Sequence, residues 1–295
     1  MGGCPMGGYG WGDVKENELI DAVHTAIDNG INIFDTADTY GLGQSEKTLG
    51  KALDNHRKDV VIADKFGVRV ENGSTYYDNS PGYIRKALEQ SLKNLGTDYI
   101  DLYQVHYRDE KTPLSLVIKT LEELKKEGKI RYFGLSNIHE EDYDEIEPFV
   151  GKIVSVQDEY SLACRKNESA LKTLSSDFKI TAFTWGSLGQ GILTGKYDKS
   201  VTFQANDRRN RDIYVNFHGN KLLKNLDIVE KMKPIAQNHN KPLSAVAIRF
   251  ILDYIDDSIA LVGAKRPSQI EGNIGAVDWK LTEEEIKILD EVSRD

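Results

Sequence analysis

An acid and a phenol stand close together early in the chain. Asp35 closes a short apolar run, Ile31, Ile33 and Phe34, and Tyr40 follows in the loop behind it. Both groups can hold or release a proton, so their placement decides whether they do chemistry. The apolar run reads as a buried strand ending at Asp35. Beyond it small polar residues, Gly41 and Gly43 turn the chain into a helical pattern at Ser45, which is expected to cap that helix. Where parallel strands run under helices, ligands bind at the carboxyl ends of the strands. Taken alone, Asp35 could be a turn cap and Tyr40 half-buried packing. The same placement recurs, however. Lys65 follows the apolar run Asp59–Asp64, His106 follows Tyr99–Val105, and Ser136-Asn137 follow Lys129–Leu135. Gln157, Trp185 and Gly263–Lys265 likewise end apolar runs. One strand-end lysine or histidine has a dull explanation; this many ionisable and polar groups converging on one mouth read as an active site.

The elements that position them follow from periodicity. Leu19, Ile20, Val23 and Ile27 recur at helical spacing until Asn29-Gly30 stops them. Further helices are expected over Ser45–Leu53, from Ser80-Pro81, and over Pro113–Glu127, His139–Phe149 and Glu168–Ser175. Others are expected over Lys221–His239, Leu243–Tyr254, Ser268–Ala276 and Thr282–Val292, the last opening on a TEEE capping pattern. Asn72–Asn79 reads as an exposed loop, and Asn206–Asp212 as a basic polar one. Seven strands alternate with these helices without a linker, and Met1–Gly8 looks like the remnant of an eighth. Such a series is one α/β domain spanning 1–295 with a parallel sheet. No GxGxxG follows an early strand, which disfavours a doubly wound sheet and leaves a (β/α)8 TIM barrel. The usual N-terminal hairpin and most of the first strand are expected to be missing, and a chain starting at Met1 is expected to form a less stable barrel.

Bulk composition narrows the function classes. Hydrophobic residues make up 39% and charged residues 29% of 295, as in soluble globular proteins. A net charge of −9 with no basic stripe argues against a nucleic-acid partner. No apolar run is long enough to span a bilayer, and no signal peptide is evident. The two cysteines, Cys4 and Cys164, imply no disulfide framework and fit a reducing cytoplasm. No Cys/His cluster has metal spacing.

Seven stretches carry a family resemblance: GINIFDTADTYGLGQSE, VVIADKFG, SLKNLGTDYIDLYQVH, GKIRYFGLSN, VQDEYSL, LGQGILTGKY and GAKRPSQIEGN. In this order, over nearly the whole chain, they resemble the aldo-keto reductase superfamily. Within it they are most similar to the bacterial NADPH-dependent branch that includes inositol-operon and general-stress members. The resemblance implies a catalytic tetrad of Asp35, Tyr40, Lys65 and His106. A carbonyl that accepts hydride needs a proton, and Tyr40 would donate it. Lys65 is expected to lower the phenol's pKa from ~10, with Asp35 holding the lysine charged and in place. His106 would orient the carbonyl oxygen.

The resemblance also implies an NADPH site. Ser136, Asn137 and Gln157 would hold the nicotinamide carboxamide, and Trp185 would stack on its ring. The segment Gly186, Ser187, Leu188, Gly189 to Gly191, with Lys196, would approach the pyrophosphate under a clamp from Arg209. Gly263 precedes the expected pocket for the adenosine 2′-phosphate, formed by Lys265, Arg266 and Gln269, and Asn273 would meet the adenine. Trp11, Tyr107 and Arg108 are expected to line the pocket of a small-molecule carbonyl substrate. Four positions depart from the family pattern. Asp64 stands for a Thr, Arg108 for a Pro, Gly272 for a Glu and Ser187 for a Pro. The expected activity is NADPH-dependent reduction of aldehydes or ketones by a cytoplasmic monomer or weak homo-oligomer. Two alternatives are a cofactor-binding regulatory subunit of the potassium-channel β type and a Schiff-base enzyme using Lys65.

Overall fold

Short β-branched runs flanked by amphipathic stretches cannot bury both faces unless helices cover them, and this chain builds that arrangement. In the structure, a computed structural model that describes residues 1–294, seven strands lie parallel in one curled sheet. They are β1 (Ile33–Asp35), β2 (Val61–Phe66), β5 (Ile100–Val105), β6 (Ile130–Ser136), β7 (Ile153–Glu159), β8 (Thr181–Trp185) and β9 (Ser258–Ala260), in that spatial order. The remaining two, β3 (Val68–Glu71) and β4 (Ser74–Tyr77), form a separate antiparallel hairpin.

Gly2 joins the two edges of the sheet. It bridges Asp35 on one side and Gly263 on the other, both in parallel sense. The Gly2 N–H donates to the Val262 carbonyl at 2.9 Å, and the Gly3 N–H donates to the Asp35 carbonyl at 2.7 Å. The expected remnant of an eighth strand is therefore a one-residue ladder that completes the (β/α)8 ring. Its backbone also holds a residue of the site, because the Asp35 N–H donates to the Met1 carbonyl at 2.9 Å.

Side-chain alternation sorts the strands into an inside and an outside. Ala63, Leu102, Phe183 and Leu261, with Ile33, Val154 and Ile259, pack together as the apolar floor of the barrel. Two residues further along β1 and β2, the same alternation raises Asp35 and Lys65 above that floor. The outward residues, among them Ile62, Phe66, Tyr103 and Val105, meet the helical layer in the main core.

That layer comprises α1 (Glu16–Asp28), α2 (Gln44–Leu53), α3 (Pro81–Leu95), α4 (Leu114–Lys126), α5 (Tyr143–Ile146), α6 (Glu168–Ser176), α7 (Gly219–Asn238), α8 (Leu243–Tyr254), α9 (Pro267–Ile274) and α10 (Glu283–Ser293). Ser80 caps α3, its Oγ accepting from the Tyr83 N–H at 3.4 Å, with Pro81 in the first turn. The TEEE pattern becomes a full capping box between Thr282 and Glu285.

Three expectations fail locally, each for a physical reason. Residues 72–79 are not a plain loop. Asn72 and Gly73 take φ of +51° and +79°, the geometry of a tight hairpin turn, so Glu71 pairs with Ser74 and Val68 with Tyr77. The helix expected over 139–149 breaks into 3-10 turns around the four-residue α5, where Pro148 cannot donate a backbone bond. Ser45 is not a cap, since Gly43 takes that position. Its Oγ instead donates to the Gly3 carbonyl at 2.9 Å and accepts from Thr36 Oγ1 at 2.8 Å, tying α2 to the residues that close the ring.

Candidate active site

The loop leaving β1 is compact because two glycines meet. A Cβ on Gly41, whose φ is +63°, would lie 2.1 Å from the Gly7 carbonyl oxygen, so no larger residue fits without moving backbone. This contact sets Tyr40 at the barrel mouth. There the four expected catalytic side chains converge. Lys65 Nζ donates to both Asp35 oxygens at 2.6 and 2.7 Å and to the Thr36 carbonyl at 2.9 Å. It also lies 3.4 Å from the Tyr40 hydroxyl. The His106 ring meets Tyr40 edge-on with centroids 5.8 Å apart, and stacks on Tyr107 at 5.1 Å. Lys65 and Asp35 are all but sealed from solvent, with side chains 1% and 5% exposed.

The residues expected to hold the cofactor interlock with this group. Gln157 Nε2 donates to Asp35 Oδ2 at 2.9 Å, and Ser136 Oγ donates to the Gln157 carbonyl at 2.8 Å. Asn137, held at φ +55°, reaches the His106 carbonyl through Nδ2 at 2.8 Å. All three border a cleft of about 640 Å³ that also contains Asp35, Tyr40, His106 and Tyr107. Trp185, Gly186, Ser187, Leu188, Gly191 and Lys196 line its far wall, with Arg209, Gly263, Lys265, Arg266 and Gln269. Trp11 closes it from the N-terminal segment.

Four expected residues stand outside the cleft wall, the first being Lys65, whose side chain is only 1% exposed. Arg108 turns away, its Nη2 pairing with Glu145 of α5 at 3.0 Å, because a carboxylate waits on that side of the rim. Gly189 faces the core, where an added Cβ would come within 2.8 Å of Ala163 and Ile192. Asn273 lies on α9 and does not border the cleft. Gly272 beside it packs toward α8, where the Ser244 hydroxyl donates to its carbonyl at 3.3 Å. Ser187 borders the cleft, but its hydroxyl donates to the Thr184 and Leu261 carbonyls at 2.9 and 3.0 Å, fastening β8 to the segment after β9.

The electrostatics differ from the sequence expectation in one respect. Burial, then the Asp35 carboxylate, raises the Tyr40 hydroxyl well above its ordinary ~10, so the net direction is up rather than down. Taking the phenolate out of water costs most, and the negative charge of Asp35 adds to that cost. Burial, then the Lys65 charge, holds His106 well below ~6.5, leaving a neutral imidazole. The resting site therefore holds a protonated phenol beside a neutral histidine.

The Asp64 side chain points away from that of Lys65, because adjacent strand residues face opposite ways. Its Oδ1 accepts from the Lys65 backbone N–H at 2.9 Å, and burial raises its carboxyl well above the usual range. Nearby, burial and then Glu46 push Asp38 up from 3.8 to about 8. The folded form thus keeps a proton that the unfolded chain releases, and stability falls as pH rises between those two values. Asp38→Asn is expected to raise the melting temperature at about pH 8 and to flatten part of this decline. A slope identical to wild type in thermal melts across that range would rule out Asp38 as a source.

One wall of the cleft is strongly cationic. Burial, then Arg209, Arg266 and Lys196, push the Lys265 ammonium down from its usual value. Cations that repel one another in a cleft favour a polyanionic ligand. Asp207 partly offsets them, accepting from Arg209 Nη2 at 2.6 Å. The Asp207 segment is also bridged to Trp11, whose carbonyl accepts from Lys265 Nζ at 2.7 Å.

Residues 2–294 match the aldo/keto reductase family. The chain belongs to this family. It is 35% identical to aldo-keto reductase YhdN of Bacillus subtilis, over 99% of this chain and 88% of that protein. Aldo-keto reductase yakc [NADP(+)] of Schizosaccharomyces pombe is 33% identical, over 98% of this chain and 86% of its own length. Among solved structures, the glycerol dehydrogenase AKR11B4 from Gluconobacter oxydans superposes with a TM-score of 0.89 at 33% identity, covering 99% of this chain and 90% of that one. This aldo/keto reductase is an oxidoreductase with the (β/α)8 fold of its relatives. Among its described residues no helix is long and apolar enough to cross a membrane.

Sequence reasoning passed over several cleft residues. Cys4, Tyr197, Arg208 and Tyr214 all border it. Arg208 left one signal, the doubled arginine of NDRRNRD, but spacing alone does not say which arginine turns where.

Proposed function

We propose that the chain reduces aldehydes or ketones to alcohols with NADPH, with Tyr40 as the general acid. The observation that carries this reading is the contact of Lys65 Nζ with the Asp35 carboxylate at 2.6 Å and with the Tyr40 hydroxyl at 3.4 Å. When bound, NADPH supplies the hydride. Tyr40, protonated at rest, passes its proton to the oxygen of the carbonyl as negative charge develops there. The departing proton leaves a phenolate within reach of Lys65, whose positive charge then counts for most. Neutral His106 is positioned to hydrogen-bond the same oxygen. Asp35 and Gln157 keep the lysine aimed.

The cofactor fits the residues present. Lys196, Arg209, Lys265 and Arg266 supply the mutually repelling cations that phosphates would neutralise, and Lys265 and Arg266 suit a 2′-phosphate. Ser136, Asn137, Gln157 and Trp185 would hold the nicotinamide end. The name of the NADP(+) relative points the same way.

Oxidation of NADPH followed by absorbance, with a panel of aldehydes and with NADH as comparison, tests the reading. Replacing Arg266 by Met is expected to raise the KM for NADPH by about tenfold to a hundredfold, the worth of a charge-assisted bond, and to leave NADH little affected. An equal effect on both cofactors would remove Arg266 from the 2′-phosphate site. Tight NADPH binding without turnover of any carbonyl would instead favour the regulatory-subunit reading.

A further inference from the structure

Among the described residues Arg208 is a cleft arginine without a counter-ion. Its neighbour Arg209 is clasped by Asp207, yet among the described residues Arg208 makes no salt bridge. Three carboxylates border the same cleft, and each is engaged elsewhere. Asp35 binds Lys65, Glu18 pairs with Lys15 at 3.2 Å, and Asp13 accepts from Asn206 at 3.4 Å.

The guanidinium is nevertheless firmly placed. Its Nη2 donates to the Tyr9 carbonyl at 2.7 Å, and the Arg208 N–H donates to the Gly10 carbonyl at 3.0 Å. The Trp11 ring lies 5.3 Å away. Nη1, by contrast, has only long contacts, 3.5 Å to the Tyr214 hydroxyl and 3.9 Å to Cys4 Sγ. A half-buried, oriented cation with one weakly used donor edge is costly unless an anion completes it.

We propose that Arg208 is a specificity residue that receives the carboxylate of a substrate carrying both a carbonyl and a carboxylate group. This deepens the reductase reading and rests on it. Trp11 and Tyr107 border the cleft with Arg208 and Tyr40, so one small molecule can span cation and proton donor. The field of Arg208 also reaches the Tyr40 hydroxyl, favouring its phenolate. A planar carboxylate suits a guanidinium edge better than a neutral ester of the same shape does.

The test compares 4-carboxybenzaldehyde with methyl 4-formylbenzoate, a neutral analogue of similar shape. In wild type the acid is expected to have a kcat/KM about tenfold or more above the ester, the worth of one charge-assisted bond. Arg208→Gln should bring the ratio to about one by raising the KM of the acid, and Arg208→Lys should restore part of it. The Kd for NADPH, read by fluorescence, should be unchanged in Arg208→Gln. A wild-type ratio near one, or a ratio that survives the substitution, overturns the proposal. So does a weakened NADPH affinity, which would place Arg208 on the cofactor. If wild type turns over neither aldehyde, the reductase reading fails separately. Terephthalate binding to the NADP-loaded protein then decides the anion site: it should be lost in Arg208→Gln, and equal affinity in both proteins refutes the site.

Discussion

Tyr40→Phe is expected to lower kcat for carbonyl reduction by about a hundredfold to ten-thousandfold while leaving NADPH affinity unchanged. The substitution removes one oxygen from a half-buried ring whose edge-on contact with His106 and seat in the loop after β1 do not depend on it. What disappears is the proton source. Solvent is a poor substitute in a site where the neighbouring Asp35 and Lys65 side chains are 5% and 1% exposed. Because the phenol is held well above ~10 and His106 well below ~6.5, neither changes protonation near neutrality. The reductive kcat/KM of wild type is therefore expected to be flat from about pH 6 to about pH 8. Steady-state rates with stopped-flow NADPH binding separate the outcomes. Retention of more than a tenth of the wild-type kcat in Tyr40→Phe would remove the tyrosine from the acid role, and a steep inflection in that pH window would point to His106 as the donor.

Lys65→Met is expected to damage both catalysis and stability. The ion pair with Asp35 is fully buried, and removing one partner of such a pair typically costs about 3–5 kcal/mol because the other charge is stranded. Gln157 Nε2, at 2.9 Å, is then the main remaining donor to Asp35 in the barrel mouth. Denaturant unfolding of Lys65→Met, Asp35→Asn and the double variant forms a cycle that isolates the pair. The double variant should recover part of the stability lost in Lys65→Met, since no carboxylate is left unpaired, but it should recover no activity. Lys65→Met as stable as wild type would mean that Asp35 is not carried as a buried anion. Recovery of turnover in the double variant would show that the lysine acts only through Asp35 and not on Tyr40.

Much of this protein was legible in its residues because βα repetition leaves little freedom. Alternating apolar runs and amphipathic stretches specify parallel strands under helices, and a strand's last residue then lies at the ligand-binding end wherever the strand sits. Asp35, Lys65, His106, Ser136, Gln157 and Trp185 could be placed on one face by that rule alone. The rule fails where local chemistry competes with composition. Asn72-Gly73 carried a hairpin signal that the surrounding polar residues masked, and Pro148 broke the helix expected over 139–149.

What only the tertiary structure decided was how charges and side chains are shared once the elements meet. The two arginines of one loop have the same type and nearly the same position. Both border the cleft, but Arg209 is clasped by Asp207 whereas Arg208 has no carboxylate partner among the described residues. Arg108, at the rim beside His106, finds Glu145 and leaves the substrate side. The state of Tyr40 was equally out of reach of sequence, because the resemblance implies a lysine beside the phenol and Asp35 beside the lysine, but not the burial that raises the phenol's pKa. The sequence determined which groups reach the mouth, since strand periodicity is local. The tertiary structure decided what those groups do there, since burial and pairing depend on residues brought together from distant parts of the chain.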